Sequence, residues 1–119
     1  MLPLLHFQRY QEFKHALEQL QKMIAVTNWE AAALRDSVQN VQQLFQNQLA
    51  ILSAEDLAPV DAPRWQSFQT EIHKQMRLLE TDMMLLHSSR SSATSQRRLL
   101  SVRDRLNTLI QYCEALLQL

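Results

Sequence analysis

The chain contains no glycine in its 119 residues. Tight β-hairpin turns and phosphate-binding loops need glycine, because it reaches positive φ without steric cost and lets another group approach the backbone closely. A Rossmann turn and a P-loop are therefore excluded. Glutamine is instead abundant, and glutamine, leucine, alanine, arginine and glutamate all favour helices. The composition predicts an all-α protein.

Apolar residues recur at alternating steps of three and four along four stretches of the chain. This period predicts long amphipathic helices at about 4–26, 28–53, 63–87 and 93–117. Long helices joined by short loops pack antiparallel to their neighbours, so we expect one domain, an up-down-up-down four-helix bundle. The same pattern also fits two long hairpins that dimerise into a bundle. The predicted core positions are Tyr10, Phe13, Leu17, Leu20, Ile24, Leu34, Val38, Val41, Phe45, Leu52, Trp65, Phe68, Ile72, Met76, Leu79, Met83, Leu86, Leu99, Val102, Leu106, Leu109, Cys113 and Leu116, and Leu44 and Ile51 widen the stripe of the second helix.

Several polar residues mark the predicted helix ends. Thr27 and Glu30 have the spacing of a capping box, which would begin the second helix. Pro63 suits the first turn of the third helix, with Asp61 as its cap. A cluster of serines before the fourth helix predicts a turn. Gln48 falls on the apolar stripe of the second helix, which predicts a buried amide that fixes the register between helices.

Two tryptophans and one cysteine lie at positions that bear on the core. Trp29 and Trp65 are each near a predicted helix start, where we expect them to cover the ends of the core, with an exposed anchor for a partner as the alternative for either. Cys113 lies on the stripe of the fourth helix, which predicts a buried and inert thiol. A single cysteine cannot form an internal disulfide and fits a reducing compartment.

Charge and hydropathy predict a cytoplasmic protein. Twelve basic and twelve acidic residues cancel, which argues against general nucleic-acid binding and against a polybasic membrane anchor. No stretch approaches the roughly 18 apolar residues that suggest a membrane-spanning helix. The apolar start of the chain is too short for a signal peptide. Homo-oligomerisation remains open.

The sequence holds no recognisable catalytic or cofactor motif. Glu12 and His15 have the Glu-x-x-His spacing of a di-iron bundle, but such a site needs this pair twice. We interpret them as a charged pair on an exposed helix face. The methionines, among them Met76, Met83 and Met84, are interpreted as core filling. We therefore expect no enzyme activity and no cofactor, with a metal- or haem-binding bundle as an alternative.

Basic residues are concentrated around the start of the fourth helix. In the predicted bundle this region is at the opposite end from the loop between the second and third helices, which carries Glu55, Asp56 and Asp61. Arginine is enriched at protein interfaces, so the cluster predicts a docking surface for an acidic protein partner. A solvated helix face explains the same residues equally well. The candidate partner-binding residues are Arg90, Arg97, Arg98, Arg103 and Arg105.

Two segments carry a resemblance to a known family. They are TEIHKQMRLL at 70–79, followed by Asp82, and RLNTLIQYCEALL at 105–117. The chain resembles the cyanobacterial heterocyst-frequency control protein PatD family along its full length, including the helix start at Trp29 and the segment 94–98. The resemblance implies a small cytoplasmic regulator that limits how many cells of a filament differentiate. It also implies the acidic division protein FtsZ as a candidate partner. It supplies no site residues.

A second interpretation in the protein-binding class is a cytoplasmic export chaperone of the flagellar or type III kind. Such chaperones are short, glutamine-rich and helical, and they hold a partner helix in an apolar groove. A wide exposed apolar strip would favour this interpretation, and a closed bundle would count against it.

Overall fold

A computed structural model describes residues 1–26 and 30–119 as an all-α protein. Its helices are α1 (Leu4–Ala25), α2 (Ala31–Leu44), α3 (Ala62–His87) and α4 (Ser92–Leu117). Helix α2 continues into a π-helical segment, Phe45–Leu49. The molecule is a rod of about 50 × 20 × 20 Å. The predicted all-α class is confirmed. Within the described ranges, no helix is both long enough and apolar enough to cross a membrane.

The helices alternate in direction, as the sequence predicts. Lys14 Nζ lies 3.8 Å from Glu114 Oε1, and Gln21 donates to Asn107, so α1 and α4 are antiparallel. The closest backbone packing joins α3 to α4, α1 to α4 and α1 to α2, whereas α2 and α3 lie farther apart. The loop end of the rod holds the start of α1, the π-helical segment, the following loop and the start of α3. The turn end holds the turn between α3 and α4.

The core consists largely of the predicted stripes. Most of the predicted positions are buried, and Leu52, Phe68 and Leu99 are partly buried against the rest. Leu44 is partly buried, whereas Ile51 is 65% exposed beyond the end of the π-helical segment, so its place on the stripe was wrong. The other error among the apolar residues is Met84. Its side chain is 67% exposed on α3, so its interpretation as core filling was wrong. Met76 and Met83 are buried, as predicted.

The end of α2 departs from the expected helical period. The Ala50 N–H donates to the Phe45 carbonyl at 2.8 Å, an i→i−5 bond that closes one turn over an additional residue. Leu49 is fully buried, and Gln48 is only half-buried. The predicted buried amide of Gln48 was therefore wrong, because the wider turn places Leu49 in the core. The Gln48 carbonyl instead accepts from Arg9 Nη1 at 3.0 Å.

Helix starts follow the predicted signals in part. Pro63 lies in the first turn of α3, as expected. Asp61 precedes that helix, but its carboxylate binds the Met1 amino group at 2.8 Å rather than the α3 backbone. Ser91 caps α4 by accepting from the Thr94 N–H at 3.1 Å. The predicted capping box includes Thr27, which, like Trp29, lies outside the described residues.

Candidate functional site

The exposed surface of α4 near the turn end carries two arginines and a leucine in one row. Arg97, Leu100 and Arg103 are spaced three residues apart, and this spacing makes them neighbours on a helix face. Both arginines are exposed, and Leu100 is 56% exposed. A shallow groove of about 240 Å³ runs beside them and is lined by Gln96, Leu99, Leu100 and Arg103. We call Arg97, Leu100 and Arg103 the Arg-Leu row.

Arg98 and Leu100 lie on opposite sides of Arg97 around the circumference of α4. Arg98 is half-buried and lines a second groove of about 300 Å³ with Thr94, Arg97 and Ser101. Arg97 Nη2 is 3.4 Å from the Thr94 hydroxyl oxygen, within the same groove. The predicted cluster therefore divides between the two grooves, because Arg103 lines the first and Arg97 and Arg98 line the second. Arg90 is exposed in the turn that precedes α4.

Arg105 has a structural partner. Its Nε donates to Asp82 Oδ2 at 3.1 Å, which joins α4 to α3. The Asp82 side chain is 11% exposed and the Arg105 side chain 33% exposed. A nearly buried carboxylate requires a compensating charge, and Arg105 supplies it. Of the predicted arginines, Arg105 is therefore the one whose charge is already neutralised within the fold.

We expect Arg105→Gln to lower the free energy of unfolding by about 1–2 kcal/mol, because it leaves the Asp82 carboxylate nearly buried without its cation. The same change at Arg103, two residues away and exposed, is expected to cost less than about 0.5 kcal/mol. Urea unfolding followed by circular dichroism measures both values. Equal stability of the two variants would mean that the Arg105–Asp82 pair contributes nothing.

A second polar cluster lies in the core at the loop end and was not predicted. Trp65 Nε1 donates to the Tyr10 hydroxyl at 3.1 Å, and that hydroxyl donates to Gln69 Oε1. Gln69 Nε2 in turn donates to the Leu49 carbonyl at 2.8 Å. Burial raises the pKa of Tyr10 well above its ordinary value, so the phenol stays protonated as the donor. The chain of hydrogen bonds connects α1, α3 and the π-helical segment.

His6 extends this buried cluster toward the start of α1. Its Nε2 lies 3.0 Å from the Ser53 carbonyl, and its ring packs edge-on against Trp65 with centroids 5.7 Å apart. His6 is buried, and its Nδ1 has no hydrogen-bond partner within residues 1–26 and 30–119. His6 lies four residues before Tyr10, so an extended stripe could have indicated its burial. Gln69 likewise lies four residues after the predicted core residue Trp65, and the same spacing could have indicated that its side chain is buried.

The residues considered for metal binding lie apart from both clusters. Glu12 and His15 are exposed and line a groove between α1 and α2. In the part of the chain that the structure describes, no three histidine, cysteine or acidic side chains converge as metal ligands. Cys113 is buried in the core, as predicted, and burial raises the pKa of its thiol to about 12.

Comparisons with known proteins give no independent assignment. No protein-family model, curated protein or solved structure matches the chain. The case for a function therefore depends on the residues of the two grooves and on the Arg-Leu row.

Proposed function

We propose that this chain is a non-enzymatic regulatory adaptor that acts by binding an acidic protein partner through the Arg-Leu row. The observation that carries the proposal is the exposure of Leu100 between two exposed arginines. Interface centres combine apolar contact with arginine, which binds carboxylates through a rigid planar fork. Arg97 and Arg103 supply the charge and Leu100 the apolar contact.

The location of the row also suits a docking function. It occupies the outer face of α4, whereas the opposite face of α4 contributes Val102, Leu106 and Leu109 to the core. A partner can therefore bind the row without opening the bundle. Little rearrangement of the adaptor is required, and a rigid surface loses less entropy on binding.

The resemblance to the PatD family supplies the biological part of the proposal. In this proposal the adaptor is cytoplasmic and limits the frequency of heterocyst differentiation, with FtsZ as its first candidate partner. FtsZ is acidic as a class, which complements a surface of free guanidinium groups. Arg98 and Arg90 flank the row and extend the positive surface.

The test is binding of purified FtsZ to the immobilised chain by biolayer interferometry. We expect the Arg97→Gln, Arg103→Gln double variant to weaken binding about tenfold, because two charged contacts are lost. The matched control is Lys74→Gln with Arg77→Gln, which removes two exposed charges from α3. Its affinity is expected to stay within about twofold of the parent.

Two outcomes would contradict different parts of this proposal. If the parent chain does not bind FtsZ, the assignment of that partner is wrong. If it binds and both double variants bind equally well, the partner stands and the Arg-Leu row is not the docking surface.

A further inference from the structure

The loop end of the rod presents a surface whose chemistry complements the Arg-Leu row. Glu55 and Asp56 are exposed in the loop before α3, and Val60 in the same loop is 83% exposed. We call the segment 54–61 the acidic loop. It combines free carboxylates with an apolar side chain, as the row combines free guanidinium groups with Leu100.

The acidic loop has a defined conformation. The Leu57 N–H donates to the Ala54 carbonyl at 3.1 Å, and the Asp61 N–H donates to the Ala58 carbonyl at 2.9 Å. Leu57 is buried and anchors the loop to the core. The backbone at Glu55 is held by a hydrogen bond, because its N–H donates to Ser53 Oγ at 3.3 Å. A loop held in this way loses little conformational freedom when it binds another surface.

The acidic loop cannot reach the Arg-Leu row of its own chain. Helix α3, with 26 residues, separates the loop from the turn that precedes α4. At 1.5 Å per residue this helix is roughly 39 Å long. The two complementary surfaces therefore lie toward opposite ends of the rod, so they can pair with each other only between two molecules.

We propose that the acidic loop of one copy of this chain docks on the Arg-Leu row of a second copy. Glu55 and Asp56 face Arg97 and Arg103, and Val60 packs against Leu100 beside the groove. The contact joins two different surfaces, so it is heterologous and leaves a free surface of each kind at the ends of every assembly. The chain therefore associates head to tail into open oligomers.

Head-to-tail association uses the same row that the proposed partner binds, so the two interactions compete. The charges are exposed, so their attraction weakens when salt shortens the Debye length from about 20 Å toward about 5 Å. The association is therefore expected to be weak, salt-dependent and concentration-dependent. It does not depend on the identity of the partner.

The experiment uses variants that each lose one surface. Glu55→Gln with Asp56→Asn removes the carboxylates of the acidic loop, and Arg97→Gln with Arg103→Gln removes the charges of the row. Sedimentation velocity at low salt should show that the mean mass of the parent rises with concentration, by about twofold or more, and returns to the monomer at high salt. Each variant alone should remain monomeric.

Mixing the two variants provides the decisive measurement. The loop variant retains the row and the row variant retains the acidic loop, so the mixture should form a capped one-to-one dimer and nothing larger. A dimer formed by either variant alone, or a parent that stays monomeric at low salt, would overturn the proposal. So would a mixture that contains only monomers.

The loop variant also separates this proposal from the proposed function. It leaves Arg97, Leu100 and Arg103 unchanged, so binding of FtsZ should be unaffected or strengthened when self-association is lost. If the row variant loses FtsZ binding but still oligomerises as the parent does, the self-association alone is overturned. A salt-sensitive parent oligomer with no FtsZ binding would overturn the partner alone.

Discussion

Replacing Tyr10 with phenylalanine is expected to lower the free energy of unfolding by about 2–4 kcal/mol, although it removes a single oxygen. The Tyr10 hydroxyl accepts from Trp65 Nε1 and donates to Gln69 Oε1, and both of these side chains are buried. Without it, one buried donor and one buried acceptor lose their partner. Each such loss costs about 1–3 kcal/mol. Chemical denaturation followed by circular dichroism provides the measurement.

The chain offers a matched control for this substitution. Tyr112 on α4 is half-buried, and its hydroxyl makes no hydrogen bond to any of the described residues. We expect Tyr112→Phe to change stability by less than about 0.5 kcal/mol. Equal effects at the two tyrosines would show that the buried chain of hydrogen bonds adds nothing to stability. Adding Gln69→Leu to Tyr10→Phe should cost less than the sum of the single changes, because the two side chains share one hydrogen bond.

The Cys113 thiol is expected to be almost unreactive in the folded protein. It is fully buried, and burial raises its pKa to about 12 from an ordinary value of 9.0. The thiolate is the reactive form, so at pH 8 its population falls about a thousandfold before access is considered. We expect labelling by a disulfide reagent to be slower by at least that factor in native protein than in denatured protein.

A surface thiol on the same helix is the appropriate control. Gln111→Cys with Cys113→Ala places the thiol on an exposed position of α4, where native labelling should approach the denatured rate. Rapid labelling of native Cys113 would contradict its burial. Where reaction requires global unfolding, the rate for Cys113 should rise in the Tyr10→Phe variant by the same factor as the unfolding equilibrium constant, about tenfold for each 1.4 kcal/mol of lost stability.

The raised pKa of Cys113 also determines in which direction the free energy of unfolding changes with pH. The unfolded thiol ionises first as the pH rises above about 9, and the unfolded state then binds fewer protons than the folded state. The contribution of this thiol to stability is complete below that pH. It is lost progressively as the pH rises toward the folded value of about 12.

The predicted stripes succeeded where a single period governs a whole helix. In α4, Val102, Leu106, Leu109, Cys113 and Leu116 repeat the same face, and all are buried. The pattern failed at Gln48, because counting by three and four assumes an α-helical turn. The i→i−5 bond at Ala50 widens that turn by one residue, so Leu49 takes the core position predicted for Gln48. The pattern also failed at Ile51, which is 65% exposed beyond the π-helical segment. Met84 was assigned to the core by residue type alone, and residue type does not specify which face of α3 a side chain occupies.

The candidate surface could be predicted only in part. Clustered arginines are visible in the sequence, and Arg97 and Arg103 are indeed exposed. That Arg105 is neutralised depends on Asp82, which lies on another helix. The buried bonds among Tyr10, Trp65 and Gln69 likewise depend on how α1 and α3 pack. Such pairings cannot be read from either segment alone.

The π-helical turn at Phe45–Leu49 has a consequence for aligning this chain with any relative. A relative whose second helix is α-helical throughout would contain one residue fewer over the same rise. The correct alignment would then need a single-residue gap between Phe45 and Ala50. An ungapped alignment would match Leu49 to a position on a different face, and a conserved core would look like a substituted one.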